Sequence, residues 1–169
     1  MNTPYSKEDV DNLYRFLGES IWHLQHLEKS LTTFTAMKKL QKLRDNGNNF
    51  SEEDAHLELK NQQKKTLGSL IKSAMDEEII DENLIIRFDK FLIERNWIVH
   101  KCVINEFLAL RNIEVQENLF TRIKNFSQEA INLNNKTGEL LNKWFQEKGY
   151  DPEKAQVIAR NMLENAEKS

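Results

Sequence analysis

The chain has 169 residues, enough for one domain around one core. Hydrophobic residues make up 39% and charged residues 30%, a balance that suits long exposed helices better than a sheet-centred fold. A formal net charge of −3 argues against a protein that coats nucleic acid non-specifically, yet leaves room for one that grips one or two phosphates locally.

Two prolines and five glycines leave few helix breakers. Cys102 is the only cysteine, so no intramolecular disulfide is available. The polar start, MNTPYSKEDVDN, lacks the apolar run of a secretory signal, and no stretch approaches membrane-spanning length. The expectation is a soluble, cytoplasmic protein that does not engage a membrane.

Ser6, followed by Glu8 and Asp9, reads as a helix start. Val10, Leu17, Leu24 and Leu31 then recur every seven residues. Leu13, Leu27 and Phe34 make a second seam, widened by Tyr14 and Ile21. The spacing predicts one helix to about Leu43, roughly 55 Å long, which needs a partner to be stable. Asp45 to Asn49 reads as a loop. Ser51-Glu52-Glu53-Asp54 caps a polar helical segment with four lysines by Lys72, within which Thr66 to Ile71 begins a short apolar stretch.

A turn is expected around Asp81 to Asn83. The next helix carries Leu84, Ile85, Phe88, Phe91 and Leu92, then Arg95-Asn96-Trp97-Ile98-Val99-His100, and is expected to run through Val103 and Ile104. It is the most apolar helix and should lie at the centre. The last long helix has the cleanest pattern: Leu119, Phe126, Leu133 and Leu140 on one seam, Ile123, Ala130, Thr137 and Trp144 on the other. Gly149 ends it. Asp151-Pro152-Glu153 starts an accessory helix over 151–167, with Val157, Ile158, Met162 and Leu163 on its apolar face. The expected fold is therefore all-α. It is an antiparallel up-and-down bundle with short extra helices, one domain over 1–169 with its core at about 6–148.

Arg95 to His100 is the segment richest in chemistry. Arginine holds a phosphate through two parallel hydrogen bonds, and histidine moves protons near neutral pH. Arg95, Asn96 and His100 are thus the candidate catalytic residues, a minimal kit for breaking an RNA phosphodiester with no metal and no cofactor. Asn96 and His100, four apart, share a helix face. Arg95 and His100 stand about 140° apart on an ideal helix. They meet only if the arginine curls round the helix or a second copy closes the site. The alternative is structural: Arg95 pairs with Glu94, Asp89 or Glu106, and His100 is an ordinary core or surface histidine.

In these residues the chain resembles the HEPN family of small helical proteins. The hallmark of that family is Arg, a polar residue (often Asn), then His after four to six intervening residues, late in a helical bundle. Thr66 to Ile71 also looks like a segment preceding the motif in some members. The resemblance covers about 6–148, with specificity in the motif alone. It implies a metal-independent endoribonuclease of a toxin–antitoxin or phage-defence system, acting as a homodimer with two motifs facing across a cleft. His100 would transfer protons, Arg95 would stabilise the phosphorane, and Asn96 would orient the histidine or hold a phosphate oxygen. The products would carry 2′,3′-cyclic phosphates. Some members do not cleave RNA, so a non-catalytic adaptor or dimerisation module that binds a protein partner is the alternative. In a subset of the family a tyrosine two residues past the histidine is nucleotidylated by a partner antitoxin. Here Cys102 stands at that place, so any antitoxin or other regulatory protein should act differently, for instance by occlusion.

Other signals are weaker. His23 and His26, with Glu19, could form a metal pair but more simply flank the Leu24/Leu27 seam. Glu53 and His56 have the spacing of helical di-iron ligands, without the second such motif those sites need. Lys38, Lys39, Lys42 and Arg44, and again Lys60, Lys64, Lys65 and Lys72, could line an RNA path or be solvated faces. Trp144 is expected in the core and Trp97 in the core or a dimer interface; exposed tryptophans could stack bases. No glycine-rich phosphate loop, Cys/His metal cluster or serine-nucleophile arrangement is visible.

Overall fold

The computed structural model describes residues 6–102 and 113–149, with residues 151 and 157 besides. Its described elements are all helical: α1 (Lys7–Asp45), α2 (Glu52–Gln63), α3 (Leu67–Asp76), α4 (Glu82–His100) and α5 (Ile113–Glu147). None is long and apolar enough to cross a membrane.

Local chemistry sets the ends. Ser6 and Asp9 form a reciprocal capping box at α1, and Ser51 and Asp54 another at α2, each satisfying backbone donors that the first helical turn leaves open. Their hydrogen bonds, backbone and side-chain, hold both aspartate carboxyls below the usual range. α1 closes in a Schellman turn: Asn48 N–H donates to Leu43 O, Gly47 N–H to Arg44 O, and Gly47 supplies the positive φ of 79°. The lysine-rich segment breaks at Lys64, because Thr66 Oγ1 accepts from Ser69 N–H and starts a fresh helix. α3 closes in the same turn as α1, with Glu78 rather than glycine at φ 53°. The turn into α4 therefore falls at Glu77–Asp81, earlier than expected, with Asp81 capping Leu84 N–H at 2.8 Å.

α4 stops sooner than its apolar pattern suggested. Lys101 leaves α-helical geometry (φ −123°) while its N–H still bonds Trp97 O, so α4 ends at His100. Val103 and Ile104 lie outside the described residues, as does the accessory helix except for Asp151, which is not helical, and exposed, helical Val157.

α1 packs against α2 and α3, and α3 against α4. α3 and α4 approach closely enough that a Cβ on Gly68 would sit 3.3 Å from Leu92 Cδ2. The α4–α5 pair is antiparallel, with Arg87 on Glu129, Phe91 on Phe126 and Glu94 on Arg122. α1 and α5 lie side by side and parallel. Ser20 Oγ reaches Ile123 O, Ser30 Oγ reaches Asn134 Oδ1 and Lys148 reaches Asp45, at sequence separations of 103, 104 and 103. The two helices thus stay in step for roughly 40 Å.

The core fills between them. Leu27, Leu31, Ile123, Ala130 and Leu133 are fully buried, joined by Leu24, Phe34, Leu119, Phe126 and Trp144. Full burial of each large aliphatic or aromatic side chain contributes about 1.5–3 kcal/mol. The heptads of α5 match this seam throughout, with Thr137 buried and donating to Leu133 O. Tyr14 departs from expectation: it is 59% exposed and does not widen the α1 seam.

Candidate functional site

α4 splits the motif. Leu84, Phe88, Phe91 and Ile98 are buried and define its inner face. By helical geometry Arg95 falls near the middle of that face. Asn96 and His100 fall on the other side and are exposed. The arginine therefore rises out of an apolar surround, with its Nε buried and making no hydrogen bond. Its outer end turns back: Nη1 donates to Asn96 Oδ1 at 3.3 Å.

Among the alternatives for Arg95, Glu94 belongs to another arginine, and Glu106 is outside the described residues. Arg95 closes no ion pair among the described residues. The carboxylate that feels it is Glu28 on α1, half-buried and unanticipated from sequence. Burial pushes the Glu28 carboxyl above its usual range, and the Arg95 charge opposes that shift without cancelling it.

Arg122 of α5 was also missed. Its Nε and Nη2 grip both oxygens of Glu94, at 2.7 and 3.1 Å. The same guanidinium lies 3.5 Å over the Trp97 ring. One arginine thus holds the residue before Arg95 and the residue after Asn96. Arg87 and Glu129 repeat the pairing at 2.9 Å, seven residues along each helix and with the signs exchanged. That exchanged seven-residue spacing was the available signal in the sequence: a slip of α4 by seven would set Arg87 against Arg122.

No family model, curated protein or solved structure matches the chain.

Among the described residues no three His, Cys, Asp or Glu side chains converge as metal ligands would. His26 packs edge-on against exposed Trp22, with ring centroids 4.8 Å apart, and His56 turns back to the Glu52 carbonyl of its own helix. The lysine stretches are partly spent on internal contacts. Lys39 pairs with Glu58, and Lys42 Nζ lies 2.8 Å from Glu77 Oε2, an ion pair by distance though not by hydrogen-bond angle. Lys65 is drawn onto Ser73 Oγ; burial, with repulsion from Lys39, holds its amine below the usual lysine range. Trp144 packs on Phe34 in the core, Trp97 is half-buried under Arg122, and Cys102 is buried. Beside Asn96 and His100 the outer face of α4 carries Ile86 (54% exposed), Ile93 (67%) and Val99 (42%).

Proposed function

We propose that the protein is a metal-independent endoribonuclease of the HEPN type, cleaving RNA at a site that two copies of the chain complete. The observation that supports this is the course of Arg95: it leaves the buried face of α4 and its Nη1 donates to exposed Asn96, one helical turn before exposed His100. An arginine that closes no ion pair among the described residues, on the same helical stretch as an accessible amide and imidazole, is suited to a transferring phosphate.

The chemistry follows from those groups. One His100 imidazole takes the ribose 2′-hydroxyl proton as the 2′-oxygen attacks phosphorus. Arg95 neutralises charge on the phosphorane. The P–O5′ bond breaks, and a protonated His100 from the second copy gives its proton to the leaving 5′-oxygen. Ends are a 2′,3′-cyclic phosphate and a 5′-hydroxyl. One histidine cannot be base and acid in the same step, which is the chemical reason for two copies. No metal or cofactor has a role in these steps. A toxin–antitoxin or phage-defence setting in the cytoplasm suits such an activity, and a protein covering the outer face of α4 would silence it by occlusion.

The test is cleavage of RNA in EDTA by wild type and His100→Ala side by side. Expected is cleavage by wild type alone, with cyclic-phosphate ends. Removing a general acid–base of this kind costs about 10²–10⁴ in rate. Equal activity in both proteins, or activity only with added metal, overturns the proposal.

A second reading, a non-catalytic helical adaptor, draws on the exposed Ile86, Ile93 and Val99 of the same helix, which suit a protein partner. It predicts that His100→Ala leaves function unchanged.

A further inference from the structure

Resting on the ribonuclease reading of the same site, we propose that Arg122 is a positioning residue. By gripping Glu94 and Trp97 together it sets the rotation of the last turns of α4, and so where Asn96 and His100 point.

The geometry is specific to this arginine. Glu94 and Trp97 are three apart, so their side chains leave α4 about 60° from one another, on the flank facing α5. Arg122 engages both at once, the fork on Glu94 and the plane on Trp97. A single contact leaves a helix free to roll about it; two contacts on one rigid guanidinium do not. His100 lies about 60° beyond Trp97 and Asn96 about 100° beyond it, so any roll permitted at Trp97 is passed directly to both. The position along the helix matters equally. Trp97 opens the final turn, and its carbonyl accepts from the capping Lys101. Terminal turns fray unless something holds them. Ile98 and Cys102 anchor this one on the inner side, and Arg122 supplies the anchor on the α5 side.

Arg122 is not itself offered as a phosphate ligand. Two of its nitrogens bond Glu94 and its face is covered by an indole. Its loss should therefore change how well bound RNA is attacked more than how well RNA binds.

The experiment compares full-length wild type, Arg122→Gln, Arg122→Lys and a control, Arg87→Gln, which breaks the equivalent ion pair farther up the same helix pair. Amide hydrogen exchange at residues 97–101 is read first. Exchange there should accelerate about tenfold in Arg122→Gln, less in Arg122→Lys, and stay near wild type in the control. Cleavage of a fluorescein-labelled, mixed-sequence single-stranded RNA is read second. kcat should fall about tenfold or more in Arg122→Gln, with partial rescue by lysine and an unchanged KM. Exchange in Arg122→Gln that matches the control overturns the inference, and so does a raised KM with kcat intact. If wild type cleaves nothing, the ribonuclease reading falls, and the exchange measurement alone decides whether Arg122 holds the last turn of α4.

Discussion

α4 presents two faces that the rest of the molecule treats differently. Inward, Leu84, Phe88, Phe91 and Ile98 are packed, and Phe91 stacks on Phe126 with centroids 4.6 Å apart and planes within 5°. Outward, Ile86 and Ile93 stand in solvent on the same side of the helix as Asn96 and His100. The inner face accounts for why the helix is there. The outer face contributes little to the packing of one chain. Arg95 crosses between the two, rising from the middle of the inner face to donate to exposed Asn96.

The sharpest way to break the comparison is on the inner side. Phe88→Ala should cost about 3–5 kcal/mol, the usual range for emptying a fully buried aromatic site, measured by urea unfolding. A loss under about 1 kcal/mol would mean the inner face is not core.

Glu28→Gln probes the crossing point, and its sign depends on pH. The folded pKa of Glu28 is raised above the ordinary 4.5. Its stability contribution is therefore complete below the unfolded value and lost as pH rises through the raised one. Glutamine cannot titrate. The variant should gain on wild type between mildly acidic and neutral pH, and the gain should vanish at acid pH. Thermal unfolding across that range tests this; a variant less stable at neutral pH would show that pairing with Arg95 outweighs burial.

Glu78→Gly concerns the turn that delivers α4. Glutamate holds a left-handed backbone there, at a cost of about 1 kcal/mol that glycine avoids, so the variant should be more stable by a similar amount. Circular-dichroism melting is sufficient to see it.

The smallest effect belongs to the outer face. Ile93→Lys should leave the stability of the single chain within about 0.5 kcal/mol of wild type. If a second copy covers this face, the same variant should lower self-association in sedimentation velocity. A large loss of chain stability would place Ile93 in the core after all.

The same contrast explains what was legible in the sequence. α5 was, because its seam residues fall alternately four and three positions apart: Leu119, Ile123, Phe126, Ala130, Leu133 and Trp144 are all buried as the spacing required. α1 was legible for the same reason, except that Tyr14 extends the pattern into solvent. α4 was less so, because Ile85, Ile86, Leu92, Ile93 and Val99 spread apolar residues well round the helix, so periodicity did not say which way Arg95 or His100 faced. Nor could apolar content show the end of the helix, which Lys101 imposes while apolar residues continue in the sequence. Glu28 and Arg122 escaped notice because their importance lies in contacts with another helix. Glu28 is 67 positions from Arg95 in the chain, and no short-range pattern connects them.

The parallel pairing of α1 and α5 has a consequence for how the protein is made. Its contacts join residues 103 or 104 apart, so none can form until most of the described chain exists. At about 5–20 residues per second, α1 leaves the ribosome roughly 5–20 seconds before its partner. During that interval Leu24, Leu27, Leu31 and Phe34 have only α2, α3 and α4 to shelter against. Nascent chains stalled before α5 should therefore be chaperone clients, and release should follow once the region around Trp144 has emerged.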